Sequence, residues 1–459
     1  MDYSAANTAL WAPMVQVGII AGVLLLANVL RRKIPFIRKS LMPTAVLGGF
    51  LLLIFKYVGI INVGTRFLEI ITYHALGIGF IAMSLRVPEK KSDAGARIGS
   101  RSGALIVSTY LVQAITGLVI SLILAYTVMP DLFKASGILL PMAYGQGPGQ
   151  ANNVGATYEA LGMVGGRSFG MSLAAAGFLC ACLVGVVFLN IYTKKGILKT
   201  VRTEGYVSGS VTVDIFQDED EIPIEESVDK LSVQVALILL VYLLTYLVTW
   251  GATSGITAIA PGAGKTVSTL LWGFNFIIGS VVAIACRVLF VHLRKMKIMN
   301  RQYQNNYLLN RISGLAFDVM IVAGIASINI SDLQGMMLPF ILMAVIGGIV
   351  TFVYLQYMCK KVYPGYEQEG FFSMYGMLTG TISSGVLLLR EIDPGFKTPA
   401  ATNLVTGSSF GILFGAPVLL LVSMAAKSDL MVFVVLLLAT IYLVLLLFYI
   451  FKVGTKKGK

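Results

Sequence analysis

Charge is scarce in this sequence. Of 459 residues only 12% are Asp, Glu, Lys or Arg, against about 25% in soluble domains. An ordinary cytosolic enzyme, a disordered tail and a nucleic-acid binder are thereby excluded. Histidine is nearly missing, at two residues, and no H-E-x-x-H occurs, which removes a familiar metalloenzyme pattern. The four cysteines (Cys180, Cys182, Cys286, Cys359) lie within or at the ends of apolar runs and form no C-x-x-C. Neither a disulfide framework nor a zinc site is supported. No nucleophile–base pair or clustered intramembrane acids stand out, so the chain does not read as an enzyme and no organic cofactor is expected. Residues 1–10 carry no basic residue, so the first apolar run is expected to be a retained span and not a cleavable signal.

What the chain has instead is apolar length. Hydrophobic residues make up 57%. Runs long enough to span fall at 11–30, 41–59, 67–85, 103–128, 168–192, 231–250, 267–291, 312–330, 335–358, 400–424 and 429–452, since about 20 apolar residues cross a bilayer as helix. This predicts an all-α polytopic protein with eleven spans. The surplus of 13 positive charges lies mostly in alternate loops. Residues 31–40, 86–102, 193–230 and 293–311 each hold five basic residues, while the intervening loops hold only Arg66, Lys134, Arg167, Lys265 and Lys427. The positive-inside bias then places the N-terminus outside and the C-terminus in the cytoplasm of a plasma-membrane protein. Loop 193–230 also holds nine acids, including Asp218-Glu219-Asp220-Glu221, and reads as a solvated cytoplasmic linker.

Two further stretches, 137–160 and 370–391, are semi-apolar and broken by Gly, Pro, Ser, Thr and Asn. Each stands between the fourth and fifth span on its side of the linker. Residues 1–192 and 231–425 thus form two five-span repeats of opposite topology, and 426–459 adds one extra span and a tail. Tyr144-Gly145-x-x-x-Gly149 matches Tyr375-Gly376-x-x-x-Gly380. Inverted repeats with broken segments at matching places point to the binding site of a secondary transporter, because non-helical backbone survives at membrane depth only inside protein or beside water. Pro148, which lacks an N–H, and three glycines in five residues stop the helix at 145–149. The expectation is a re-entrant hairpin from outside at 137–160 and one from inside at 370–391. Each returning arm aims its helix N-terminus at the tip, where anions are attracted; the freed carbonyls suit sodium.

These hairpins, with Met42-Pro43-Thr44-Ala45-Val46-Leu47-Gly48-Gly49 in the second span, resemble the bacterial sodium/glutamate symporter family over about residues 11–425. The resemblance implies a homodimeric elevator, in which a domain carrying both hairpins slides against a scaffold and imports L-glutamate with sodium, the coupling ion. Here Gln146 stands where a histidine is usual in the first hairpin. The second reads Thr379-Gly380-Thr381-Ile382-Ser383-Ser384-Gly385. A sodium- or proton-coupled symporter of another carboxylate is the alternative, and a channel a more distant one.

The candidate substrate- and ion-binding residues are Gly145, Gln146, Gly147, Gly149, Gln150, Asn152 and Asn153 at the first tip, and Thr379, Gly380, Thr381, Ser383 and Ser384 at the second. Sodium is assigned to Thr379, Thr381, Asn153 and hairpin carbonyls. Either these polar groups touch substrate and ion, or they only cap the returning arms. Asp318, inside the eighth span, either balances a sodium charge or pairs with Arg311. Glu159, Arg390 and Glu391 at the hairpin mouths, Glu69 near a span end, and Lys56 and Arg287 read as charges that reach water. His74 reads as a hydrogen-bonded interior residue. Ala260-Pro261-Gly262-Ala263-Gly264-Lys265-Thr266 imitates a phosphate loop, but Ile259 stands where its first glycine is required.

Overall fold

The computed structural model describes residues 2–4, 6–39, 42–87, 93–196, 224–259, 268, 271–272, 275–299, 303–393 and 398–453. Most of the linker, the phosphate-loop imitation and the C-terminal tail lie outside them, as do the side chains of Ser383 and Arg390. Every regular element among the described residues is helical. This is what hydrocarbon demands, since a helix satisfies its backbone hydrogen bonds internally. The main elements are α1 (Thr8–Lys33), α2 (Thr44–Tyr57), α3 (Thr65–Leu85), α4 (Asp93–Thr127), α5 (Leu139–Tyr144), α6 (Pro148–Glu159) and α7 (Gly166–Lys194) before the linker. After it come α8 (Ile224–Ile259), α9 (Asn275–Lys295), α10 (Asn306–Ala326), α11 (Met337–Val362), α12 (Glu367–Thr379), α13 (Ile382–Arg390), α14 (Ala400–Ala425) and α15 (Asp429–Val453).

Ten of these helices are long and apolar enough to cross a membrane, and the chain is a multi-pass membrane protein. The expected second span is the exception. Pro43 stands at the N-cap of α2, and the helix ends before Gly59 in the left-handed region (φ 79°). Its 14 residues rise about 21 Å, short of a hydrocarbon core of about 30 Å.

The described chain forms two compact units, and each draws on both sides of the linker. The first comprises Met1–Arg66, Lys91–Arg202 and Gly324–Lys459; the second comprises Phe67–Lys90 and Thr203–Ala323. At the centre of the first unit is α4, packed on α11, α14 and α15. Its polar groups are spent on neighbouring helices: Tyr363 and Tyr354 donate to the Ser102 and Ser108 hydroxyls at 2.9 and 2.7 Å. The extra helix α15 is fastened to this unit along its length. Lys134 pairs with Asp429 at one end, and that carboxylate pushes the Lys134 ammonium up. Tyr442 donates to the Phe414 carbonyl (2.7 Å), and Tyr449 donates to Ser100 Oγ (3.1 Å). The opposite face of α15 presents Leu430, Leu437 and Phe448 outward, as a lipid-facing helix does.

In the second unit Ile81, Ala82 and Leu85 of α3 pack with Ile238 and Val241 of α8, Ala283 of α9 and Leu309 of α10. A polar chain crosses it: Asn275 Nδ2 donates to Tyr73 OH (2.7 Å), which donates to the Trp272 carbonyl (2.7 Å). His74 Nδ1 bonds Tyr242 OH at 2.7 Å, as expected of a hydrogen-bonded histidine, although its ring is otherwise exposed.

Candidate functional site

The first hairpin is built by a forced break. The N–H groups of Gly145 and Gln146 both reach the Pro141 carbonyl, at 3.0 and 3.1 Å, which widens the last turn of α5. Gly147 then adopts φ 87°, ψ −179°, a conformation that is glycine territory. Pro148 starts α6 as its first helical residue, where a missing N–H costs nothing. The arms run back side by side, and Phe133 and Tyr158 meet near the mouth as tilted rings with centroids 5.5 Å apart. Tyr158 OH fixes this end to the Val422 carbonyl (2.7 Å). Glu159 also does more than reach water. It accepts the Arg167 N–H at 2.9 Å and pairs with that guanidinium at 3.2 Å.

The second hairpin breaks at Gly380 (φ −139°, ψ −103°), and Thr381 caps α13 in an extended conformation. Its arms lie so close that a Cβ on Gly376 would stand 2.8 Å from the Ser384 carbonyl oxygen and Gly385 Cα. The first arm is clamped by rings. Phe352 on α11 meets Phe371 at 5.1 Å and Tyr375 at 5.5 Å, and reaches Phe188 of α7 at 4.2 Å.

The two tips meet. A Cβ on Gly147 would lie 3.5 Å from the Gly380 carbonyl oxygen and 3.7 Å from Thr381 Cγ2. Both rest on α7: a Cβ on Gly177 would stand 2.3 Å from the Thr379 carbonyl oxygen and 2.9 Å from the Tyr144 ring, and one on Gly380 3.1 Å from the Phe178 ring. Just beyond, α7 widens into a π-helical turn at Cys180–Val184. The N-termini of α6 and α13, each carrying about half a positive charge, therefore converge, and residues 145–153 and 379–385 include no charged side chain.

Around this meeting point Gln150, Asn152, Asn153 and Ser384 are 2–3% exposed and Thr379 is fully buried. Gln150 Oε1, Asn152 Oδ1, Thr381 Oγ1 and Ser384 Oγ have no hydrogen-bond partner. Each unmatched buried polar group costs about 1–3 kcal/mol, and all four are oxygens. None of the four oxygens makes a capping bond here, Thr381 Oγ1 at the N-cap of α13 included. Thr379 differs: its hydroxyl donates to the Tyr375 carbonyl at 2.8 Å. Gln146 is partly exposed at the tip.

Asp318 lies outside the unit that holds the hairpins. It belongs to the second unit, and its side chain is exposed on α10. Its alternative partner, Arg311, instead lies over the Tyr307 ring at 5.0 Å. Lys56 and Arg287 are likewise engaged. Lys56 donates to Thr65 Oγ1 (2.7 Å), and Arg287 caps the end of α3 through the Ser84 and Arg86 carbonyls (3.1 and 3.0 Å). The Tyr-Gly match between the hairpins does not fall on equivalent places. Tyr144 precedes its N-cap, Gly147, by three residues, and Tyr375 precedes its N-cap, Thr381, by six.

Sequence reasoning missed Gln113 of α4, which is fully buried. Its Nε2 donates to the Leu378 carbonyl (2.9 Å) and to Thr351 Oγ1 (3.0 Å). A lone glutamine inside an otherwise apolar span was the available signal. Gly177 gave none, because glycines are frequent in membrane helices. No family model matches the chain, and no curated protein matches it.

Proposed function

We propose that the chain is a sodium-coupled importer of L-glutamate or a related acidic solute, working by alternating access. The observation that carries this is one place holding two unlike demands. Two helix N-termini converge there and favour an anion, while four buried oxygens without partners favour a hard cation or a donor. An acidic solute bound together with sodium meets both. The order helix, hairpin, helix recurs as α4–α7 and as α11–α14, which supports inverted repeats. On this reading the unit bearing both hairpins is the moving body of an elevator, and the assembly is a homodimer in the plasma membrane with the N-terminus outside.

The lack of Lys or Arg at either tip also fits a symporter for another carboxylate, because helix ends read a carboxylate without reading the rest of the molecule. Uptake of labelled L-glutamate into proteoliposomes, with an inward sodium gradient and with choline in its place, tests the proposal. Saturable, sodium-dependent accumulation is expected. Sodium-dependent uptake competed by another dicarboxylate but not by glutamate would select the alternative. Conduction without saturation would point to a channel.

A further inference from the structure

We propose, on the reading of the tips given above, that Gln113 of α4 supplies a ligand oxygen to the coupling cation and joins that cation to both hairpins. The orientation of its amide is fixed by its partners. The Leu378 carbonyl can only accept, so the group that meets it at 2.9 Å is the NH2. The second hydrogen of that NH2 is taken by Thr351 Oγ1 at 3.0 Å. Oε1 must then face the other way. It is buried, it has no partner, and a Cβ on Gly145 would lie 2.8 Å from it. The amide thus holds the last turn of α12 with one end and addresses the first tip with the other.

The turn beside this oxygen offers it no backbone donor. The N–H groups of Gly145 and Gln146 are both committed to the Pro141 carbonyl, and that of Gly147 to the Ala143 carbonyl. Pro148 has none. The unpaired N–H groups of α6 begin at Gly149, beyond this turn, and a buried amide oxygen left without a partner suits a cation. A cation drawn to Oε1 polarises the amide and strengthens the bond from Nε2 to Leu378, as linked hydrogen bonds do in a low dielectric. Cation binding at the first tip thereby tightens the second. Gln113 lies outside both hairpins and carries no charge, so it forms this link without adding a fixed charge that would hold the ion after the site opens.

The test uses the purified full chain in nanodiscs. Melting temperature is followed as sodium chloride replaces choline chloride at constant ionic strength, without substrate. A ligand that binds only the folded state raises melting temperature in a saturable way, so the midpoint in sodium reads the affinity. In Gln113→Met the midpoint should rise by at least about tenfold, the range for losing a polar contact to a charged group. In Gln113→Glu an oxygen is retained and protons compete with sodium, so the midpoint should become pH-dependent and fall as pH rises. A purely structural role predicts a lower melting temperature with the sodium midpoint unmoved, and that result in both variants would overturn the proposal. Should neither variant fold, Gln113→Asn decides: it keeps the amide but draws its oxygen back by one methylene, and an unchanged midpoint there would equally overturn the role of Gln113. A wild-type chain with no sodium-dependent stabilisation would instead refute the sodium reading of the tips themselves.

Discussion

Gly177 is the place where one methyl group separates folding from function. It lies within helical α7, where alanine is favoured over glycine by about 1 kcal/mol. Gly177→Ala should therefore help the helix locally. Its Cβ, however, would stand 2.3 Å from the Thr379 carbonyl oxygen and 2.9 Å from the Tyr144 ring. Restoring ordinary contact requires the second tip to withdraw by about 1 Å. Overpacking of this kind costs about 1–3 kcal/mol. If the tip relaxes outward when empty, binding must return it and bear that cost, which is roughly a 5- to 150-fold loss of affinity. The expected result is a melting temperature near wild type with a sodium midpoint and a half-saturating glutamate concentration raised in that range. Gly22→Ala in α1, where nothing lies within 4 Å, is the control and should change neither. Wild-type sodium dependence and uptake in Gly177→Ala would refute the inference that the contact of both tips with α7 sets the site.

Gly147→Ala forces a side chain into φ 87°, ψ −179°, at a cost of about 1–3 kcal/mol, and should abolish uptake; Gly59→Ala, strained similarly at φ 79° but outside both hairpins, should lower melting temperature alone. Thr381→Val should raise the sodium midpoint and Thr381→Ser should restore it, because the partnerless hydroxyl at that position is what differs. Glu159→Gln weakens a pair that is about one-third exposed on each side and should cost under about 1 kcal/mol in a melting curve. In a cysteine-free background, Lys427→Cys should react with an impermeant thiol reagent in intact cells and Lys195→Cys should not; the reverse pattern would invert the orientation.

The breaks were legible in the sequence because they rest on local chemistry. Pro148, which lacks an N–H, and the glycines at 145, 147 and 149 disfavour an unbroken helix whatever their neighbours, and the structure breaks at Gly147. Membrane crossing was legible for the same reason, since apolar length needs no partner to be recognised. What escaped depends on neighbours distant in sequence. Gln113 meets Leu378, 265 residues away, and a lone glutamine in an apolar span marks the residue without naming its partner. The internal match Tyr144/Tyr375 falls near both helix breaks but differs in register by three residues, since a short motif fixes composition and not the point where the chain turns. Glu159 was read as a charge reaching water because its partner, Arg167, lies beyond a turn whose shape depends on Gly162 and Gly165, both with positive φ. Asp318 was legible as an unusual carboxylate within a span; that it stands in the other unit was not, because the units interleave along the chain.

The chemistry of the tips constrains how anything binds there. An anion arriving alone meets two helix ends of about half a charge each, but also the Gln150, Asn152, Thr381 and Ser384 oxygens, of which the two amide oxygens can only repel it. A cation alone satisfies those oxygens and is opposed by the same helix ends. Neither ion is well accommodated by itself, and each supplies what the other lacks. Two opposite unit charges about 4 Å apart in an environment of effective dielectric about 20 attract by about 4 kcal/mol, roughly a thousandfold in affinity if fully realised. Linkage makes the effect mutual: whatever factor sodium contributes to the affinity for substrate, substrate contributes to the affinity for sodium. A fixed lysine or arginine at the tips would bind the anion without the ion and abolish that dependence. On the proposed function, the absence of charged side chains from both tips is what would make coupling follow from binding alone.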